Sequence, residues 1–404
     1  MANLFGSTNA LNGALGILKN WYAGPIVSQF NDEIPFYREV EKGKEKFSGL
    51  QVVRSVKVRR NQGIGATSDG GLLPSIGQQT TQQAQISATF QYLRFGITGP
   101  LIKSAQGDKG AFVSGMEFEM SEGLIDLKQD VNRQLFWSGN STLATVSAAA
   151  TASNVITVTG RESVEDGSKF LDVGEIIDIV SGGVVTNSGM TITAISGTTT
   201  ATLTLSGVVT CSANDLVIRT GTYNQEVDGV LYTLDGGTST IYNINRSTYP
   251  SYQGNVLDNG ANSLSLNFLK QGWNQGKRRG NAKYDAIYCD YDSERYYERL
   301  LIVDKRYQGK VKGDGTFSNK EDNYLEYGGV AVVPDKDCPQ RFLFLDSKQW
   351  KKYVLSELEW ADETGTYLIA QTSADAFEAR LRLFFNMFCE KPSAQVALKN
   401  YISP

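Results

Sequence analysis

The chain contains no histidine in 404 residues. That removes Ser-His-Asp and Cys-His triads, the usual zinc ligand sets and the commonest general base near neutral pH. Catalysis would rest on carboxylates, Lys, Tyr or Cys alone. Cysteine is scarce: Cys211, Cys289, Cys338 and Cys389 are scattered, with no CxxC pair and no framework spacing. Reduced, mostly buried thiols are expected. No stretch approaches the roughly 20 apolar residues that span a bilayer. The N-terminus lacks the basic start and apolar block of a signal peptide. Folding in a cytoplasm, with no membrane partner, is the expectation. Only 20 % of residues are charged and the net charge is −4, which argues against a protein whose task is gripping nucleic acid.

What is present is an order of unlike parts. The 41 glycines and the length predict a loop-rich, β-containing chain of two or three domains. Residues 1–45 read as an arm, with helically spaced Leu11, Leu15 and Leu18, broken later by Pro25 and Pro35. Leu50 to Thr98 reads as one extended hairpin. Its outgoing arm carries Arg54, Lys57, Arg59 and Arg60 among valines, and its return arm alternates through Ile86, Ala88, Phe90 and Tyr92. The tip between them, rich in Gly, Ser, Thr and Gln, offers little to pack a core.

A long amphipathic helix is predicted over 110–137. Val113, Met116, Met120, Leu124, Leu127, Val131 and Leu135 form one stripe, and Glu117, Glu119, Glu122, Asp126 and Asp130 lie on other faces. Such a helix is roughly 40 Å long. Residues 140–222 differ from their surroundings: Thr, Ser, Val, Ala, Gly and Ile dominate, and short alternating runs recur between turns, which predicts a small β-barrel or sandwich inserted into a host domain. From Thr222 to about Gln340 the pattern is mixed. Helices are expected over 262–280, capped by Ser263, and over 292–306, opened by Asp292 or Ser293. Phe377–Cys389 alternates as a long strand, and a turn at Lys391, Pro392 and Ser393 is expected to return Ala394–Tyr401 beside it.

The motifs that suggest chemistry have plainer readings. Gly63 and Gly65 lack the third glycine of a dinucleotide fingerprint and lie in a hairpin tip. Lys277, Arg278 and Arg279 close a helix, where cations meet the negative end of the dipole. Asp290, Asp292 and Glu294 resemble a Mg²⁺ cluster, yet Asp292 also suits a helix cap. The loop from Asp314 to Glu321 does not match EF-hand spacing. No catalytic residue, cofactor or metal is expected.

Six stretches together carry a resemblance: YAGPIVSQFN from Tyr22, RRNQGIGA from Arg59, ITGP from Ile97, KSAQGDKGAF from Lys103, DVNRQLF from Asp130 and NQEVDGVL from Asn224. In this order they resemble the major capsid proteins of tailed bacteriophages, the HK97-like family. The resemblance covers most of the chain outside the insert. It implies an α+β fold with an N-terminal arm at 1–45, an extended loop at 46–100 that lies on a neighbouring subunit, and a peripheral domain from 101–139 and 341–404 built on the spine helix. The insert would occupy 140–222 and an axial domain 223–340. It implies a non-enzymatic protein of the virion, assembled in a bacterial cytoplasm into hexamers and pentamers around double-stranded DNA.

A portal, a separate scaffold protein and a decoration protein are the partners that reading carries. Crosslinking through a loop lysine is not expected, since 60–102 holds none. The chain also starts directly with its arm, without a long scaffolding segment. Arg54, Lys57, Arg59 and Arg60 are expected to meet acids such as Glu117, Glu119, Glu122 and Asp126 of a neighbour. The rival reading is a β-rich, adhesin-like surface protein with 140–222 as its recognition module.

Overall fold

A computed structural model describes residues 34–98, 109–162, 165–234, 239–305, 325–361, 369–370 and 375–404, with the side chains of 35, 97, 109–120, 302–305 and 369–370 outside that description. The predicted arm up to residue 33 and the loop at 314–321 therefore lie outside the described residues. In chain order, α1 (Pro35–Glu39) and β1 (Glu41–Lys42) lead to β2 (Gln51–Arg59), β3 (Thr80–Ser87) and β4 (Thr89–Thr98). The long α2 (Lys109–Phe136) follows. Then come six strands: β5 (Thr142–Val146), β6 (Ala150–Thr159), β7 (Ile176–Ser181), β8 (Val184–Ser196), β9 (Thr200–Cys211) and β10 (Leu216–Arg219). Next are α3 (Val230–Leu234), β11 (Thr240–Ile241), β12 (Ile244–Asn245), β13 (Asn255–Ser263), α4 (Leu266–Gly280), β14 (Ala286–Cys289) and α5 (Tyr291–Lys305). The chain ends with β15 (Leu325–Tyr327), β16 (Val330–Pro334), β17 (Phe342–Leu345), β18 (Trp350–Trp360), β19 (Ile369–Ala370), β20 (Ala376–Cys389) and β21 (Val396–Ile402).

The described part of the predicted α2 stripe packs where the sequence puts it: Leu124, Leu127, Val131 and Leu135 are buried with Phe36, Trp350, Leu381, Leu383 and Phe385, while the side chains of Val113, Met116 and Met120 lie outside the described residues. β20 is the central strand beneath it, flanked by β18 on one side and β4 on the other. The helix comes close enough to β4 that a Cβ at Gly123 would sit 3.1 Å from Leu93. Behind α2 lies a second, six-stranded sheet in the order β13-β21-β17-β14-β16-β15. α4 covers it through Phe268, Leu269 and Trp273.

Three expectations are corrected. The single hairpin is two structures: β2 pairs with β3, but after Ala88 the chain changes partner and β4 runs along β20, with Phe90 opposite Phe384. The C-terminal segment does not return on β20, because both edges of that strand are already taken. A 3-10 turn at Pro392–Ala394 carries it into the other sheet, between β13 and β17. The helix caps also shift. Ser265, not Ser263, accepts the Phe268 amide of α4, and Asp290 rather than Asp292 accepts the backbone N–H of Asp292 and the Ser293 hydroxyl at the start of α5. All four cysteines are free and buried.

The insert is a closed barrel in the order β10-β5-β6-β9-β8-β7. Its own core holds Leu143, Ile156, Val158, Ile177, Ile179, Leu203 and Val217.

Candidate inter-subunit surface

The β2-β3 hairpin is sorted by the two-residue period of a strand. Val52, Val56 and Val58 of β2, with Ala84 and Ile86 of β3, are buried against Ile241, Tyr242, Ile244, Tyr252 and Phe388 of the same chain. Ser251 donates to the carbonyl of Val58, and the Gln85 amide donates to that of Tyr242. The base of the hairpin is thus pinned to its own body.

Arg54 shares the parity of Val52 and Val56, so it also points inward. It forms ion pairs with Glu45 and Glu390, and its charge is spent inside the subunit. Lys57 and Arg59 lie on the opposite parity and are exposed, as is Arg60 beyond the strand end. The Arg59 guanidinium lies 5.5 Å over the Tyr249 ring. Of the predicted acidic partners, Glu122 and Asp126 are exposed on α2. Glu117 and Glu119 lie on the same helix, but their side chains are outside the described residues.

Beyond Arg59 and before Thr80 the tip leaves the body. Ile64, Leu72, Leu73 and Ile76 are 83 to 99 % exposed. Four large apolar side chains projected into water at one end of an arm form a surface that the described residues leave uncovered. The glycines and glutamines around them make the segment read as a merely polar loop in sequence. The available signal was their presence in a segment with no periodicity to bury them.

The barrel is fastened to the body by ions. The Arg161 guanidinium is fully buried between the rings of Trp137 (4.4 Å) and Phe170 (4.5 Å), and donates to Glu165 (2.7 Å) and to the Asp337 carbonyl (3.3 Å). Arg341 of the body reaches Glu162 of the barrel (2.7 Å), and Arg219 of the barrel reaches Asp130 of α2 (3.5 Å). Arg133, on α2 beside Asp130 (3.0 Å) and Glu226, is buried. Burial alone would raise the Asp130 carboxyl, but Arg133 and Arg219 outweigh it and hold the group below the usual carboxylate range. Burial pushes Glu226 up, with Arg133 only partly offsetting the effect.

Where the chain re-enters the body, Gly229 lies against the end of α2; a Cβ there would stand 2.4 Å from the carbonyls of Gln134 and Trp137. Beside it Asp228 accepts from Asn386 (2.9 Å), whose amide also donates to the Ser87 carbonyl (2.7 Å) at the base of the hairpin. Burial pushes the Asp228 carboxyl up to about 6, partly offset by that Asn386 bond, with the phenols of Tyr232 and Tyr242 nearby. Folded Asp228 therefore keeps its proton to higher pH than the unfolded chain does. Its contribution is present below about pH 4 and is lost as pH rises through about 6. Asp228→Asn is expected to raise the unfolding free energy of the subunit, read from urea denaturation, by up to about 3 kcal/mol at pH 7.5, and to leave it unchanged at pH 4. Equal effects at both values would contradict the assignment.

Among the described residues no group of three His, Cys, Asp or Glu side chains is arranged to hold a metal. No helix among them is long and apolar enough to cross a membrane. Lys277 lies 4.3 Å over the Trp273 ring, and Arg279 donates to Asn255 (2.8 Å) and the Pro250 carbonyl (3.1 Å). This basic helix end thus has partners of its own.

No protein-family model matches the chain, and no curated protein matches it in sequence. The match among solved structures is different. The capsid asymmetric unit of cyanophage A-1(L) superposes with a TM-score of 0.55 at 13 % identity, covering 90 % of each chain. The capsid of a native GTA particle superposes with a TM-score of 0.46 at 8 % identity, covering 90 % of this chain and 89 % of the other. With α2 packed on the β18-β20-β4 sheet, the hairpin standing off it and the second sheet behind, the chain has the HK97-like major capsid fold, elaborated by an inserted six-stranded barrel.

Proposed function

We propose that the chain is the major capsid protein of a tailed double-stranded DNA bacteriophage, a structural and non-enzymatic subunit that assembles into the hexamers and pentamers of an icosahedral shell. The observation that carries this reading is the hairpin: pinned to its own body at the base, it presents Ile64, Leu72, Leu73 and Ile76 at its far end, where none of the described residues covers them. A second copy is the partner that removes such a surface from water in every subunit at once. Lys57, Arg59 and Arg60 steer that contact, while Arg54 serves the inside of the subunit. The region around α4, α5 and the six-stranded sheet is assigned as the axial part, and α2 with β4, β18 and β20 as the peripheral part. The genome lies beside the shell without specific contact. A separate scaffold protein, a portal and a decoration protein complete the partners.

Electron microscopy of the purified protein, expressed with and without its neighbouring genes, tests the reading. Closed particles or capsomer rings are the expected result. A monomer under every condition overturns it.

A further inference from the structure

We infer that the charge-free outer face of the inserted barrel, centred on β6 and β9, is a contact with the same face of a second copy in the shell. The inference rests on the capsid reading and names a contact beyond the hairpin.

It begins with where the barrel keeps its charges. In a chain with 20 % charged residues, neither 142–160 nor 179–214 contains a single Asp, Glu, Lys or Arg. The strands alternate in direction around the closed barrel, so the entry before β5, the exit after β10 and the connection 160–175 lie at one end. The turns 147–149, 182–183 and 212–215 lie at the other. Nearly all of the barrel's charges fall at the first end, where Arg161, Glu162, Glu165, Lys169 and Arg219 are used in the seam with the body or in pairs beside it. The one charge at the far end, Asp215, is turned inward and buried, its carboxylate accepting the Ser212 amide at 2.7 Å.

What the outer face does present is threonine and valine. Thr157 stands opposite Thr202, Thr159 opposite Thr200 and Val155 opposite Thr204 across the β6-β9 ladder. Val155 is 40 % and Val208 is 63 % exposed.

A surface that faces only water is under the opposite demand, because charge keeps a soluble face from associating. A face that meets its own copy across a two-fold axis sets each residue near its duplicate, so every charge there would confront its like. An uncharged, partly apolar face avoids that cost. The absence of any cation on it speaks against nucleic acid as the occupant.

Val208→Asp and Val208→Lys test the contact. Each alone is expected to leave thermal unfolding of the unassembled subunit unchanged and to shift the guanidinium midpoint for shell dissociation downward. Shells assembled from equal parts of the two variants are expected to recover part of the lost midpoint, because opposite charges then face each other at about half of the contacts. Unshifted shells would overturn the inference, and so would a downward shift that mixing does not reduce, which would point to a different partner protein. Should Val208 variants not fold, the same pair at Val155 gives the same reading. If the wild-type chain forms no particles at all, the capsid reading fails first.

Discussion

Replacing Leu72, Leu73 and Ile76 together by aspartate is expected to abolish closed particles while leaving the subunit folded. These side chains are almost fully exposed in the single chain, so their loss removes nothing from its own core. The thermal unfolding of the unassembled protein should not move. In a shell each buried apolar side chain is worth about 1.5 to 3 kcal/mol, and the contact recurs in every copy. Exposed ion pairs contribute only about 0 to 1 kcal/mol each, so reversing Lys57 and Arg59 should weaken assembly far less than the tip substitution. Sedimentation of the variants at matched concentration measures this directly. Wild-type yields of particles from the triple aspartate chain would exclude the tip as an assembly contact.

The largest expected loss inside the subunit belongs to Arg133. Its guanidinium is buried, bonded to Asp130 at 3.0 Å and to Glu226, and reaches the Thr142 carbonyl at 3.5 Å where the barrel begins. Arg133→Met leaves the buried Glu226 carboxylate without its partner and Asp130 with Arg219 alone, at a cost of about 3 to 5 kcal/mol. The urea midpoint is expected to fall accordingly. Adding Glu226→Gln to that variant should recover part of the loss, since one uncompensated charge is then gone. Recovery with no initial fall, or a fall of the size seen for a surface pair, would mean that the triad does not hold this junction together.

The elements with strong periodicity were legible from sequence. The apolar stripe of α2, the two-residue alternation of β20 and the repeated strand-turn spacing of the insert each give a pattern that only one secondary structure buries well. Long-range pairing was not legible. The alternation through Ile86, Ala88 and Phe90 runs on without a break, so nothing marks Ala88 as the point where the chain exchanges β2 for β20. The turn at Lys391 to Ser393 looked like a hairpin because sequence does not show that β18 and β4 already occupy the edges of β20. At the candidate contact, the inward direction of Arg54 follows from its parity with Val52 and Val56. The ionic seam of the barrel joins residues such as Glu162 and Arg341, which are too far apart in sequence for spacing to connect.

The barrel leaves and rejoins the body at neighbouring points. Thr142 pairs with Ile218 across adjacent strands, and the Ser141 hydroxyl donates to the Thr222 carbonyl just outside them. A lineage could therefore acquire or shed the whole module in one genetic event and close the gap with a few residues. Such an event would not be silent in the remainder of the gene. Arg341 would lose the opposite charge of Glu162 that makes it tolerable where it stands, whereas Asp130 would keep Arg133. Relatives without the barrel should carry an uncharged residue in place of Arg341, a scar by which its loss can be dated against the rest of the shell.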